Sequence, residues 1–230
     1  MTFRNRLQYF LVKKLQISNK TALELIKTGQ ILFNDKICIE NIEICEIDSI
    51  KYDSQILQDG KKLIYIAFYK PRGIETTLNP NITDNLFSIL PFKETVFPVG
   101  RLDKDSEGLL LLTNDGKIFD KTLRKEFQIE KEYLVKVDKP ITQIFLEKMT
   151  SGVSILGKTT LPAKIERIAD LEFKIILVEG LNRQIRRMCY KLGYEVSFLK
   201  RIRIGKIEID DLKPLEYKYL EKIKRNLNHI

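Results

Sequence analysis

The sequence predicts an α+β protein in which a small N-terminal domain of two helices and a hairpin precedes a larger domain, whose mixed, largely antiparallel sheet is flanked by helices. Helical spacing of apolar residues opens the chain, and short apolar runs then alternate with helical patterns. The intervals between these runs vary too much for a doubly wound sheet. With 230 residues, 43% of them hydrophobic, the chain is long enough to bury a core in each domain.

The first domain begins with two predicted helices. Apolar residues have helical spacing from Leu7 to Leu15, and a second helix follows with Ser18 or Thr21 as its N-terminal cap. Residues 30–39 then predict a short hairpin that turns at Asn34-Asp35. The helical part is basic, because six Lys and Arg residues face a single acid between positions 4 and 27.

The segment that follows predicts the domain boundary. Residues 53–62 are polar and end in Asp59-Gly60-Lys61-Lys62, which is typical of a linker, although a surface loop has the same composition. The predicted domains are therefore residues 1–62 and 63–230.

The second domain contains strands and helices in alternation. Apolar runs predict strands at residues 63–69, 109–113, 133–137, 173–178 and 196–209. Helical patterns between them predict helices at residues 83–90, 117–125, 142–149 and 182–192, with Gly152 and Gly193 as C-terminal stops.

The composition favours a polyanionic partner and excludes several kinds of catalysis. Lys and Arg number 40 against 31 Asp and Glu, a net charge of +9, which suits nucleic acid but also fits a merely basic soluble protein. The three cysteines lack metal-binding spacing and the single histidine is His229, so we expect no metal site and no Ser-His-Asp or Cys-His catalysis. Acid and base chemistry would fall to Asp, Glu, Tyr, Lys or Arg.

The hydropathy of the chain predicts a cytoplasmic protein without a membrane partner. No apolar run approaches the roughly 20 residues that span a bilayer. The first residues also lack the apolar core of a signal peptide.

Residues 182–206 hold most of the excess charge, with eight Lys and Arg residues against Glu195. Apolar residues at helical spacing predict that the first half is a helix with its arginines turned outward. In the second half, Arg201 and Arg203 alternate with Ile202 and Ile204. The isoleucines then move from even to odd positions after Gly205, which predicts a bulge at Gly205. A solvated face is the alternative, but such faces mix both signs, so phosphate binding is favoured.

Residues 99–109 form a dense charged loop between two apolar segments. A loop between core strands is a rigid mount for functional groups. A surface turn with fluctuating ion pairs has the same composition, and spacing alone favours that turn.

Four blocks of sequence change this interpretation. Residues 100–116, Gly-Arg-Leu-Asp-Lys-Asp-Ser-Glu-Gly-Leu-Leu-Leu-Leu-Thr-Asn-Asp-Gly, closely resemble the catalytic signature of the RsuA-type ribosomal RNA pseudouridine synthases. Residues 70–73 with Thr77, residues 131–135 and residues 179–188 agree with the same family in the same order. The N-terminal domain resembles the RNA-binding domain named after ribosomal protein S4, although Asn19-Lys20 stand where that domain has paired arginines.

The resemblance implies a set of catalytic residues that needs no metal and no cofactor. Asp103 would be the catalytic carboxylate, which attacks C1′, stabilises an oxocarbenium-like centre or moves the 2′ proton. Tyr133 would stack on the extracted uracil and handle its C5 proton. Arg186 would pair with Asp103 and keep it ionised, and Arg183 or Arg187 could substitute for it. Without the resemblance, Tyr133 would be a packed sheet residue.

The implied partner is ribosomal RNA whose target uridine is flipped out of its helix. Arg101 would fill the vacated space, or else contact a phosphate or pair within its own loop. The other expected RNA contacts are cations: Lys20, Lys70, Arg72, Arg183 and Arg187. We expect a monomer that acts on free ribosomal RNA or on a pre-ribosomal particle.

The predicted activity is isomerisation of one uridine, most consistent with large-subunit (23S) ribosomal RNA. Small-subunit ribosomal RNA and transfer RNA are alternative substrates. Two other functions remain open: an inactive RNA-binding ribosome-assembly factor, and an RNA glycosidase that releases uracil.

Overall fold

A computed structural model describes residues 5–92, 94–116, 118 and 128–220. The chain divides into two compact units, Met1–Leu63 and Ile64–Ile230. Apart from residue 118, the helix predicted at residues 117–125 lies outside the described residues. No helix in the described ranges is long and apolar enough to cross a membrane.

The first unit has the predicted helix-helix-hairpin start. Helix α1 spans Leu7–Leu15, and α2 spans Asn19–Lys27 after Ser18, whose hydroxyl accepts a hydrogen bond from the Thr21 amide at 3.1 Å. Strands β1 (Ile31–Phe33) and β2 (Lys36–Cys38) form the hairpin. Asn34 and Asp35 both have positive φ, as a two-residue hairpin turn requires.

The predicted linker at residues 53–62 is wrong, because half of it is a strand. Strands β3 (Ser49–Tyr52) and β4 (Gln55–Asp59) pair with each other and complete a sheet in the order β2-β1-β3-β4. Strand β4 is an edge strand that buries only Leu57 well, so its composition is close to that of a loop. The core of this unit comprises Leu7, Leu11, Ala22, Ile26, Ile31, Cys38, Ile50 and Leu57.

The second unit is built on a nine-stranded sheet, which confirms the predicted α+β class with a mixed, mostly antiparallel sheet. Its strands are β5 Tyr65–Lys70, β6 Phe97–Val99, β7 Glu107–Thr113, β8 Lys131–Val137, β11 Lys164–Ala169, β12 Glu172–Leu177, β13 Val196–Ile204, β14 Ile207–Glu208 and β15 Tyr217–Tyr219. They lie in the order β11-β12-β8-β13-β7-β5-β15, with β14 on β13 and β6 on β7. Strands β13 and β7 run parallel, whereas the other neighbouring strands described in this sheet are antiparallel.

Helices and a small hairpin complete the second unit. They are α3 (Leu86–Ile89), α4 (Gln143–Ser151), α5 (Gln184–Lys191) and the hairpin of β9 (Ser154–Ile155) and β10 (Lys158–Thr159). Helices α4 and α5 share one core with β8, β12 and β13, which includes Val135, Phe145, Phe173, Met188 and Leu199. A second core joins β5, β7 and α3 through Ile66, Phe68, Leu86, Leu110 and Leu112.

Two local predictions fail in this unit. Helix α3 is shorter than the predicted residues 83–90, because the buried Asn85 caps it at the Ser88 amide and also donates to the carbonyls of Asn79 and Ile82. Gly205 forms no bulge, since it begins the two-residue turn of the β13–β14 hairpin. A bulge lies instead at Ile202, one of two positions where the pairing of β13 with β8 shifts register.

Candidate active site

The charged loop at residues 100–106 joins two paired strands, β6 and β7. Within it, the Ser106 amide donates to the carbonyl of Asp103 at 3.0 Å. Leu102, which precedes Asp103, is only 6% exposed and anchors the loop in the protein interior. Asp103 therefore projects from a short loop with both ends fixed in the sheet.

Neighbouring segments hold the backbone of this loop. The Thr76 hydroxyl donates to the Leu102 carbonyl at 2.6 Å and accepts from the Leu102 amide at 3.1 Å. The Gly73 amide donates to the Lys104 carbonyl at 2.8 Å, and Gly73 has a positive φ that favours glycine. The turn at residues 71–74, which contains the predicted RNA contact Arg72, thus supports the loop of Asp103.

Arg186 holds the other side of the loop. Its guanidinium donates to the Asp105 carbonyl and to the Val196 carbonyl, each at 3.0 Å, and to the Ser106 hydroxyl at 3.4 Å. Burial is the main reason that the pKa of Arg186 is lowered, and the nearby Arg183 lowers it further. The expected pairing of Arg186 with Asp103 is wrong, because the guanidinium is directed to the loop backbone.

Arg183 provides the cation beside Asp103. Its Nη1 atom lies 4.0 Å from Asp103 Oδ2 and 3.5 Å from Asp105 Oδ2. Arg183 precedes helix α5 in the left-handed conformation, with φ 51° and ψ 37°, a geometry that costs a non-glycine residue roughly 1–2 kcal/mol. The side chain of this strained residue is directed toward two carboxylates. Strained backbone conformations occur often at functional sites, so this arrangement supports a functional role for Arg183.

The order of the strands brings Tyr133 to the same place. Arg201 on β13 pairs with Tyr133 on β8 and with Gly108 on β7, at the end of the loop that carries Asp103. A Cβ atom at Gly108 would lie 2.3 Å from the Arg201 carbonyl oxygen, so only glycine allows the strands to approach this closely. Asp103, Tyr133 and Arg183 consequently line one pocket.

This pocket has a volume of about 110 Å³. Its further lining residues include Arg101, Ser106, Leu177, Glu179, Gln184 and Leu199. Pockets for drug-sized ligands measure roughly 300–1,000 Å³. The pocket is therefore suited to one small ring beside a carboxylate, a phenol and a guanidinium.

Comparisons with known proteins identify the family of this chain. A profile of the RNA pseudouridylate synthase family matches residues 64–191, a range that includes every lining residue of the pocket except Leu199. The chain belongs to this family. The predicted resemblance to RsuA-type pseudouridine synthases is thereby confirmed.

Several curated relatives of this pseudouridine synthase align over most of their length. The dual-specificity RNA pseudouridine synthase RluF of Escherichia coli (strain K12) is 40% identical over 94% of this chain and 75% of its own. The ribosomal large subunit pseudouridine synthase B of Bacillus subtilis (strain 168) is 32% identical over 85% of this chain and 84% of its own. The ribosomal small subunit pseudouridine synthase A of Vibrio cholerae is 31% identical over 94% and 95%.

A solved structure shares the fold of this pseudouridine synthase. A crystal structure described as a pseudouridylate synthase superposes with a TM-score of 0.66 at 26% identity. The match covers 95% of this chain and 97% of that one.

Lys70 of this synthase is not exposed, as a contact with RNA would require. Its side chain is fully buried, and its ammonium group donates to the carbonyls of Pro71 at 2.9 Å and Ile74 at 2.7 Å. Burial lowers the pKa of Lys70 to about 8, although Asp103 and Glu107 counteract part of this effect. The expectation failed because Lys70 ends β5, whose six residues are all buried.

Part of the basic segment is also internal. Arg201 is 3% exposed and donates from Nε to the Leu109 carbonyl at 2.8 Å. Arg203 is ion-paired to Glu132 at 2.7 Å and to Glu130 at 3.1 Å. The basic surface is therefore smaller than predicted, since the bulge at Ile202 changes which side chains of β13 face inward.

The remaining predicted contacts lie at the surface. Arg72, Arg101, Arg187 and Lys20 are exposed, the last of these in the first unit. Arg101 lines the pocket of Asp103, whereas Arg187 donates to the carbonyl and the side-chain oxygen of Asn182. Sequence reasoning overlooked Thr76, and no motif pointed to it, because its hydrogen bonds join segments 26 positions apart.

Proposed function

We propose that this pseudouridine synthase converts a uridine of ribosomal RNA, with large-subunit RNA as the first substrate to test, to pseudouridine, using Asp103 as its catalytic carboxylate. The observation that carries the proposal is the shared pocket in which Asp103 lies near Tyr133, with Arg183 4.0 Å from its carboxylate. Two relatives are named for the large and the small ribosomal subunit, and these names support ribosomal RNA as the substrate.

The chemistry breaks the C1′–N1 bond of uridine, turns the uracil and forms a C1′–C5 bond. The C5 proton leaves to solvent and N1 acquires a proton, so the reaction is an isomerisation without a second substrate. In our proposal Asp103 acts at the sugar, either by attacking C1′, by stabilising positive charge there or by moving the 2′ proton. Tyr133 stacks on the uracil ring and accepts or relays the C5 proton.

Three arginines would assist from different positions. Arg183 orients Asp103 through their ion pair, while Arg186 holds the loop by its backbone. Arg101 is exposed at the pocket, where it would occupy the space that the flipped uridine leaves in the RNA helix.

The first unit would serve as an RNA anchor of the S4-like type. Lys13, Lys14, Lys20 and Lys27 are exposed on its two helices, a surface that favours phosphate contacts. The logarithm of the RNA-binding constant falls linearly with the logarithm of the salt concentration. Removing one such contact should make this slope less steep by about 0.7 to 0.9.

The test uses ribosomal RNA, made in cells that lack the gene, that carries tritium at uracil C5. Tritium release without free uracil is the expected result for the wild-type protein. Release of free uracil would instead identify a glycosidase, and binding without release would identify an assembly factor. Asp103→Asn should slow release by roughly a thousandfold or more, within the range of general acid-base and covalent roles.

Asp105→Asn is the matched control. Asp105 lies in the same loop and contacts the same Arg183, but its side chain is 52% exposed and it does not line the pocket. We expect Asp105→Asn to stay within about tenfold of the wild-type rate, since it loses only a solvent-screened ion pair. Equal rates for Asp103→Asn and the wild-type protein would refute the assignment.

A second RNA class is worth the same assay. The Escherichia coli relative is named a dual-specificity RNA pseudouridine synthase. Transfer RNA labelled in the same way would show whether this chain also accepts a substrate outside the ribosome.

A further inference from the structure

A second and larger cavity, of about 530 Å³, adjoins the pocket of Asp103. Arg183 lines both cavities, so they meet at the cation that contacts the candidate catalytic carboxylate. The second cavity lies between helix α5 and the β9–β10 hairpin. Nothing in the proposed chemistry at Asp103 uses it.

The walls of this cavity combine an exposed aromatic ring with an exposed aliphatic side chain. Tyr190, near the end of α5, is 76% exposed, although tyrosine usually buries much of its ring. Leu156, in the turn of the hairpin, is 55% exposed and has a positive φ of 51°. A flat apolar ligand can lie against both surfaces.

The rim of the cavity is cationic. Arg187 and Lys191 are exposed there, one turn apart on α5. The ammonium group of Lys191 makes no hydrogen bond or ion pair with the side chain or backbone of any described residue. Glu195 is the one acid among the described lining residues, and its carboxylate can accept a hydrogen bond from an amino group of a base. Aromatic rings beside phosphate-binding cations are the arrangement that binds single-stranded nucleic acid.

We infer that this cavity binds an unstacked nucleobase of the RNA next to the target uridine, with Tyr190 as its stacking platform and Arg187 and Lys191 at the flanking phosphates. The inference rests on the proposed function, because it takes RNA as the substrate of the pocket that shares Arg183. A protein partner fits less well, since a lining with four basic residues against one acid matches a polyanion.

The chain contains no tryptophan, so Tyr190→Trp introduces a single fluorescent reporter into the cavity. A single-stranded RNA of about ten mixed nucleotides, within the length that such grooves hold, is titrated into the full-length variant. We expect saturable quenching of the introduced indole by base stacking. The same strand annealed to its complement should quench several-fold more weakly, since its bases are stacked already.

Phe87→Trp is the matched control. Phe87 is 61% exposed in the same unit and does not line the cavity, so its reporter should stay unquenched. Equal quenching at both positions, or equal quenching by duplex and single strand, would overturn the inference. An absence of quenching by any RNA would also overturn it and favour a protein as the occupant.

Activity gives a second readout. Tyr190→Ala should raise the KM for labelled ribosomal RNA about tenfold and leave kcat within about twofold, as expected for one lost stacking contact. Tyr190→Phe should restore the KM, and Phe87→Ala should not change it. An unchanged KM for Tyr190→Ala would contradict the inference. If the wild-type protein releases no tritium at all, the proposed function fails, while the fluorescence titration still decides whether the cavity binds RNA.

Discussion

Arg183 and Asp103 face each other at 4.0 Å, and the same guanidinium lies 3.5 Å from Asp105. Two carboxylates therefore share one cation, while the neighbouring Arg186 is occupied with the loop backbone. The two arginines should consequently differ in how they affect the reaction and the fold.

Arg183→Ala should lower kcat by roughly ten- to a hundredfold, because it removes the charge that orients Asp103. The effect belongs at the lower end of that range, since the Arg183 side chain is 41% exposed and solvent screens it. Single-turnover tritium release measures it. Arg187→Ala is the control, because Arg187 contacts Asn182 and should change KM rather than kcat. An unaltered kcat for Arg183→Ala would remove Arg183 from the proposed mechanism.

Arg186→Lys should loosen the loop of Asp103. The planar guanidinium reaches the carbonyls of Asp105 and Val196 together, and a single ammonium group cannot replace both bonds. We expect a loss of about 1–3 kcal/mol in the free energy of unfolding. Amide hydrogen exchange should accelerate in residues 100–106 more than in α4. Uniform acceleration across the domain would argue against a specific anchoring role.

Gly108→Ala should destabilise the second unit by roughly 3 kcal/mol or more, because the new Cβ atom would clash with the backbone of Arg201. Gly73→Ala is the matched control. Gly73 also has a positive φ, but no atom lies within 4 Å of the added Cβ, so strain of about 1 kcal/mol is the whole expected loss. Urea unfolding of both variants compares them. Equal losses would mean that backbone conformation alone requires Gly108.

The buried Lys70 predicts a specific pH dependence. Burial lowers its pKa from 10.5 to about 8, so the unfolded chain binds more protons between these values and stability rises with pH across that window. The free-energy cost of burying the charged Lys70 side chain is fully present below about pH 8, and it is relieved by about pH 10.5. Relative to Lys70→Met, the wild-type protein should therefore gain on the order of 3 kcal/mol between about pH 7.5 and about pH 10.5.

Urea unfolding at a series of pH values measures this difference. Taking the difference between the two proteins cancels the titration of the other lysines and tyrosines. A constant difference across the window would show that Lys70 keeps an ordinary pKa in the folded protein.

Local signals explain which parts of the fold were predictable. Helix α1 and the turn at Asn34-Asp35 depend on residues close in sequence, and both were predicted correctly. The cap at Ser18 is also local, and it was one of two predicted candidates beside Thr21. Strand β4 was not predicted, because an edge strand is half polar and resembles a loop in composition. The start of α3 was not predicted either, because it depends on hydrogen bonds that Asn85 forms only when the surrounding loop has folded.

The same distinction applies to the candidate site. The motifs indicated Asp103, Tyr133 and a nearby arginine, and the structure places Asp103, Tyr133 and Arg183 around one pocket. Which arginine lies beside Asp103 depends on the left-handed backbone of Arg183, and nothing local in the sequence indicates that conformation. The burial of Lys70 and Arg201 likewise depends on the order of strands in the sheet.

The parallel pairing of β13 with β7 has a consequence for synthesis of the protein. The hydrogen bond from Arg201 to Leu109 joins positions 92 residues apart, and such distant contacts form late in folding. During translation the loop of Asp103 emerges long before the strand that flanks it. A nascent chain would therefore stay inert toward the RNA of the ribosome that makes it until β13 has left the exit tunnel.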